Sequence, residues 1–416
     1  MLDEAIARHA GNAERLLGEL VAADSTHGHE QVALEVLAAE FADLGLEIQR
    51  PSFTSIEDPR AGVSPTHDGA KDRYQLLGTT GDEGAFELLL NGHIDVVPVD
   101  GGRELWTDPP FEPTIRGRRL YGRGAGDMKG GFALGCLAIR AVRDVDPGIF
   151  ESHRLGFLAV IEEECSGNGA LAAALDGIVA DEVLLLEPTG LDILLGGIGV
   201  LWLDIEVTGS AGHAEVAHLS HNPVDLGMRL VERLRDWCAE LSKNQDDPVL
   251  AEVDSPYNLN LGGVQSGDWN SSVPARAIFR VRVGFPRSWT VEQAEAKARK
   301  VIETCAAQDD AFPTPPVVRP SGLRARGYYQ DPDVPLVRDL VAAHRDAHGA
   351  DPALFSLGST TDARTYVNDF GAVAVCYGTT SFNIHGVDES VDLDSVVAGA
   401  RTLGRLLLHR FGGGTT

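Results

Sequence analysis

Eight residues of this chain have the types and the spacing to do chemistry: His93, Asp95, Asp127, Glu162, Glu163, Glu164, Glu187 and His385. His93 and Asp95 follow directly on the apolar run Phe86–Leu90 in FELLLNGHIDVVP. Spacing of i, i+2 in an extended chain puts both side chains on one face, where a carboxylate can hold the second nitrogen of a metal-bound imidazole. Asp127 stands in GRGAGDMKGG, among glycines that let the backbone turn sharply and present the carboxylate from a loop. The run Leu155–Ile161 ends in the three glutamates, Val183–Leu186 ends in Glu187-Pro188, and Ala372–Tyr377 opens into the loop that carries His385. Together His93, Asp127, Glu164, Glu187 and His385 form a mixed imidazole–carboxylate set suited to zinc and open to cobalt or manganese. Five ligands exceed the needs of one tetrahedral ion, and a shared carboxylate would bridge two ions about 3.5–4 Å apart.

A parallel sheet must position these residues. Each of the four runs is short and nearly unbroken in its apolar character, the signature of a strand buried on both faces. Ligands of open α/β sheets bind beyond the carboxyl ends of the strands, so four strands ending in His, Asp or Glu predict one site at one edge. Helical stripes at Leu16, Leu17, Leu20 and Val21, and at Leu34, Leu37, Phe41 and Leu44, would cover a face of the sheet, the second stopping at Gly45. A helix marked by Phe132, Leu134, Leu137 and Ala141 begins just after Asp127, with its positive end towards the site. Between Arg50 and Gly84 the chain reads as a polar surface excursion in which His67 is solvated.

Near residue 200 the pattern changes. Leu201, Leu203, Ile205 and Val207 alternate with Trp202, Asp204 and Glu206, as in a half-exposed antiparallel strand. A helix begins at Asn222-Pro223, strands follow at Tyr257–Gly263 and Ala277–Phe285, and Thr290 with Gln293 predicts a capping box. Closed by Val317–Tyr328, this order is a ferredoxin-like α/β sandwich. The expected architecture is α/β: a discontinuous catalytic domain, 1–199 and 330–416, and an inserted lid or dimerisation domain, 200–329.

GHIDVVP, GRGAGDMKGG, the glutamate pair before a Gly-rich turn, and the late His385 resemble the zinc-dependent family of acetylornithine deacetylase, succinyl-diaminopimelate desuccinylase, aminoacylase and glutamate carboxypeptidases. The resemblance spans His93 to Glu389. It implies that His93 and Glu187 hold one zinc and Glu164 and His385 the other, with Asp127 bridging beside a cis peptide to Met128. Asp95 would orient His93, Glu163 would be the general base, and Glu389 would orient His385. By the same resemblance His213 donates to the oxyanion of the tetrahedral intermediate, reaching a partner's site in dimeric relatives. Asn270 and Arg364 are the implied substrate contacts, Asp362 being structural. Arg280 and Arg282 share one strand face, where they either clamp a substrate carboxylate or face solvent.

Composition narrows the classes further. The 416 residues suffice for two domains, and 43% hydrophobic with 23% charged residues is a globular balance. A net charge of −27 argues against nucleic acid or an anionic membrane as partner. Five cysteines, odd in number and without a CxxC, fit free thiols; Cys165 beside Glu164 is one of these rather than a ligand or nucleophile. The start MLDEAIARHAG lacks a signal segment, so the expected location is cytoplasmic. The expectation is a two-zinc homodimer that hydrolyses the amide of a small N-acyl amino acid. Its same-fold alternatives are an exopeptidase or a formyl-aminopyrimidine deformylase. A non-catalytic binding protein would have lost a ligand or the base, and all six are present.

Overall fold

The computed structural model describes residues 1–53, 64, 72–81 and 84–413. Most of the polar excursion, His67 included, lies outside them. The four apolar runs form the centre of a nine-stranded sheet, where Leu155–Val160, Leu88–His93, Glu182–Leu185 and Val373–Cys376 lie side by side and parallel. Antiparallel strands flank them, Leu76–Thr79 and Glu47–Gln49 on one side and Ile193–Gly197 on the other.

Alternate residues of the central strands feed two cores. Leu88, Leu90, Phe157, Leu184 and Val375 pack with the helices Leu2–Ala22, Gln31–Asp43, Gly130–Val145, Pro335–His348 and Leu393–Phe411. Leu89, Leu158, Val183, Leu185 and Ala374 pack with the shorter helices Asn168–Leu175 and Ala363–Phe370. Each large apolar side chain so buried contributes about 1.5–3 kcal/mol. Register then aligns the strand ends: His93 pairs with Val160, and Asn91 with Leu185. Glu162–Glu164 and Glu187 therefore leave the sheet at the same edge as His93.

Two strand boundaries differ from the pattern reading. The first central strand runs on through Asn91 and Gly92 to His93, whereas Phe86 makes only an isolated bridge to Ala180. Gly92 explains the extension, because a Cβ there would lie 2.4 Å from the Met128 methyl, so glycine lets the Asp127 loop press on the strand. The second difference is Val317–Tyr328, which divides between two sheets. Val317–Ala325 closes the smaller sheet, and Tyr328–Tyr329 pairs with Ile193–Gly197 in the large one. At Gly327 between them a Cβ would meet the Gly197 carbonyl oxygen at 2.8 Å, so the two chain crossings touch.

The smaller sheet is antiparallel, in the order Leu259–Ser266, Arg276–Phe285, Gly199–Thr208, Val317–Ala325. In chain order this is 2-3-1-4, the ferredoxin-like arrangement, with Pro223–Lys243 and Val291–Ala307 on one face. Asn222 Oδ1 caps the first helix and the Thr290–Gln293 capping box starts the second. Trp202, Asp204, Arg280 and Arg282 belong to the opposite face, free of helices. A third, four-stranded sheet has no clear sequence signal: its hairpin Ser381–Phe382 with Ser390–Asp392 carries His385 in the connection.

Lys129 ties the site loop to the first helix. It is fully buried, and its Nζ donates to the carbonyls of Leu20 (2.8 Å) and Ala23 (3.0 Å) at the end of Leu2–Ala22. Lys129→Ala leaves both carbonyls unbonded beside a cavity and is expected to cost about 2–4 kcal/mol. Urea unfolding measures it, and an unchanged midpoint would remove Lys129 from the stability of the fold. No helix among the described residues is long and apolar enough to cross a membrane.

Candidate metal centre

Asp127 divides its oxygens between two groups of side chains. Oδ1 lies 3.0 Å from His93 Nε2, which is 3.8 Å from Glu187 Oε2. Oδ2 lies 3.3 Å from His385 Nε2, which is 3.0 Å from Glu164 Oε2. Within each trio, His93–Asp127–Glu187 and Asp127–Glu164–His385, the ligand atoms fall within 4.8 Å of one another. Ligands about 2.0–2.2 Å from a tetrahedral zinc stand about 3.3–3.6 Å apart, so both trios fit an ion with small adjustments. One imidazole, one terminal carboxylate and one shared carboxylate per ion leave positions open for water and substrate. The peptide between Asp127 and Met128 is cis.

The surrounding bonds differ in detail from those expected. His93 Nδ1 meets the backbone carbonyl of Asp95 at 2.9 Å, while the Asp95 carboxylate stands 3.8 Å away. That carboxylate instead accepts the backbone N–H groups of Glu163 (3.3 Å) and Glu164 (3.1 Å). Asp95 thus orients the imidazole through its main chain and the glutamate pair through its side chain. Glu389 does not reach His385. Its carboxylate accepts the N–H groups of Gly124, Gly126 and Asp127 at 2.9–3.1 Å and pairs with Arg123, holding the bridging loop.

A buried triad fixes the glutamates from behind. Arg73, at the end of the excursion, pairs with both Glu30 and Glu162, and Ser166 Oγ donates to the other oxygen of Glu162. Glu162 has φ +64°, so the strand alternation breaks there and Glu163 and Glu164 both turn towards the cavity. Sequence reasoning passed over Arg73, since nothing near it in the chain marks a partner. His27, Glu162 and Cys165 also approach one another, but both Glu162 oxygens are engaged and burial raises the Cys165 thiol far above its usual range.

The cluster is short of positive charge. Burial pushes Glu163 well above the usual carboxylate range; the nearby His93 pulls it down, and Asp362, Glu187 and Glu164 push it up. Burial raises Glu187 to about 8. For His385, burial opposes protonation, yet its bonds to Asp127 and Glu164 carry the imidazole up to about 11. Desolvated acids competing for protons form an environment that divalent cations stabilise.

A model of the peptidase family M20/M25/M40 matches residues 89–409. A succinyl-diaminopimelate desuccinylase of Methylorubrum populi is 32% identical over 408 residues, covering 94% of this chain and 96% of that protein. This chain belongs to the M20/M25/M40 family. It is an amidohydrolase of that metal-dependent family, and a succinyl-diaminopimelate desuccinylase of Methylorubrum extorquens is similar, at 31% identity over 395 residues, covering 91% of this chain and 94% of that protein. The fold is shared with human carnosine dipeptidase 1, at a TM-score of 0.77 and 17% identity, covering 98% of each chain. A metallo-carboxypeptidase of the M20 family from Sulfolobus solfataricus superposes at a TM-score of 0.72 with 18% identity, covering 95% of this chain and 98% of that one.

In this M20 chain Asp127, Glu164, Glu187 and His385, with Glu163, line a cavity of about 930 Å³. Its far wall is the helix-free face of the smaller sheet, with Trp202, Asp204, Asn258, Asn260, Arg280 and Arg282. Arg282 lies in the cavity, donating to Asn258 Oδ1 (2.8 Å) and to Gly358 O and Ser359 Oγ (3.3 Å each), and so joins the two sheets. Arg364 does not line this cavity. Its guanidinium is 3.3 Å from Asp362, fills the space a side chain at Gly167 would need, and borders a separate cavity of about 280 Å³. Thr360 and Thr361 of the same motif do line the main cavity, and the helix that begins at Ala363 turns Arg364 away.

His213 and Asn270 stand apart from the ligands. His213 pairs with Ser272 in the ribbon Gly212–His213 with Ser272–Val273; its ring is 73% exposed, and its Nδ1 accepts the Glu215 N–H at 3.2 Å. Asn270 is exposed in the turn before that ribbon. Neither lines the cavity of its own chain.

Proposed function

We propose that this chain hydrolyses the amide bond of a small N-acyl amino acid, with Glu163 transferring the protons. The observation that carries the reading is a single cavity with Asp127 shared between two ligand trios, Glu163 beside them, and two guanidinium groups opposite. Two divalent ions, zinc by donor type with cobalt or manganese as substitutes, would acidify a water and polarise the amide carbonyl there. Glu163 takes the proton of the attacking water and returns it to the leaving nitrogen. Asp95 holds the backbone of that glutamate in place, and Arg282, steadied by Asn258, binds a carboxylate of the substrate.

The desuccinylase name of the similar Methylorubrum proteins supports an acyl group of the succinyl kind. A homodimer through the inserted domain is part of the reading. His213 shares an exposed surface with Leu219 and Trp269, both more than two-thirds exposed, and a second copy would cover it. A cytoplasmic setting is supported by five unpaired cysteines.

Elemental analysis of the purified chain should find two divalent ions, and their chelation should abolish amide hydrolysis while the fold persists. At most one ion with full activity would overturn the shared-Asp127 arrangement. A screen over N-succinyl, N-acetyl and N-formyl amino acids, dipeptides and formyl-aminopyrimidines should give the highest kcat/KM among the N-acyl amino acids. A maximum among the dipeptides would make the chain an exopeptidase, and one among the pyrimidines a deformylase.

A further inference from the structure

His93, Glu164 and Glu187 leave the edge of the large sheet, and Asp127 stands in the loop that Glu389 holds. His385 has neither support. It lies in the hairpin connection between Phe382 and Ser390, where Asn383 (φ +53°), His385 (+62°) and Asp388 (+56°) are all left-handed. A residue with a Cβ takes that conformation at a cost, so contacts must select it. Inside the connection the Gly386 N–H donates to Asn383 O at 2.8 Å, and Asn383 Nδ2 reaches Val387 O only at 3.4 Å.

A stronger contact comes from outside, from a residue 281 positions earlier in the chain. The Thr107 N–H donates to Asp388 Oδ1 at 2.9 Å, and the Thr107 hydroxyl donates to Asp388 Oδ2 at 2.7 Å. Thr107 is itself anchored. The Arg123 guanidinium lies 5.2 Å from the ring centre of Trp106 and pairs with Glu389, and the Arg123 N–H donates to Pro110 O at 2.8 Å. We propose that Thr107 and Asp388 form a clamp that positions His385, and with it the trio Asp127–Glu164–His385. The other trio, with His93 and Glu187 on the sheet edge, does not depend on it. Thr107 is exposed and Asp388 half-buried, so the pair adds little to global stability and acts locally. The inference rests on the two-ion reading for what His385 does.

Cobalt titration of the metal-free chain, followed by visible absorption, tests the clamp through affinity rather than rate. His385→Ala identifies the binding step that uses this histidine. Asp388→Ala should weaken that same step roughly 10- to 100-fold, as loss of a group that orients a ligand does, and leave the other step unchanged. Thr107→Val, which loses the hydroxyl, should weaken the same step, and Thr107→Ser, which keeps both donors, should restore it. Unchanged affinities in Asp388→Ala, equal losses in both steps, or a loss in Thr107→Ser as large as in Thr107→Val would overturn the proposal. Hydrogen exchange in the metal-free chain reads the clamp without any ion. The Gly386 amide should exchange roughly 10-fold faster in Asp388→Ala, the range of hydrogen bonds to a charged group, while amides of Leu88–His93 keep their rates. An unchanged Gly386 rate would also overturn it. Fewer than two ions in the wild-type chain, with faster Gly386 exchange in the variant, would overturn the two-ion reading and leave the clamp standing.

Discussion

Glu163→Gln is expected to lower kcat by about 100- to 10,000-fold, the usual contribution of a positioned general base, with both metal ions still bound. The amide keeps the shape of the carboxylate and its place in the cavity wall, so proton transfer alone is removed. Glu164 is different. It lies 3.0 Å from His385 in the second trio, and Glu164→Gln should lower metal occupancy as well as rate. Turnover with elemental analysis of both variants separates the two roles. Near-normal turnover of Glu163→Gln would take Glu163 out of the reaction, and Glu162 could not replace it, because Arg73 and Ser166 hold both its oxygens.

His213→Ala is expected to reduce kcat by about 100- to 1,000-fold, as the loss of an oxyanion donor does elsewhere. In the proposed dimer that effect acts across subunits, since the ring is outside its own chain's cavity and largely exposed. Complementation measures it. Mixing His213→Ala chains with Glu163→Gln chains, under conditions that exchange subunits, gives dimers with one intact site and one carrying both lesions. Random exchange should return about a quarter of wild-type activity in a two-fold symmetric dimer. If subunits exchange and no activity returns, His213 acts within its own chain or has no part in the reaction.

The candidate ligand set was legible in the sequence because it depends on strand ends. Period and apolarity mark a buried parallel strand even in isolation, and residues just past its carboxyl end have only one edge to occupy. His93, Glu164 and Glu187 follow from that rule, and Asp127 and His385 follow from their motifs. The smaller sheet was legible for a similar reason. Alternation in Leu201–Val207, the Asn222 cap and the Thr290–Gln293 box are local signals, and the ferredoxin-like order needs little more.

Tertiary structure alone decided what those elements face. The outward residues of the Gly199–Thr208 strand, Trp202 and Asp204, read as solvent-facing because alternation distinguishes two faces but says nothing of what covers the second. Packing made that face a wall of the cavity beside the two trios. Rotation of one short helix turned Arg364 into a different cavity while Thr360 and Thr361 stayed, a choice of about 100° per residue that no motif carries. Arg73 and Glu162 are 89 residues apart, and Glu389 lies 262 residues from the Asp127 amide it accepts. Bonds of that span form only when the whole sheet has set its register, so a linear pattern can name the ligands but not what holds them.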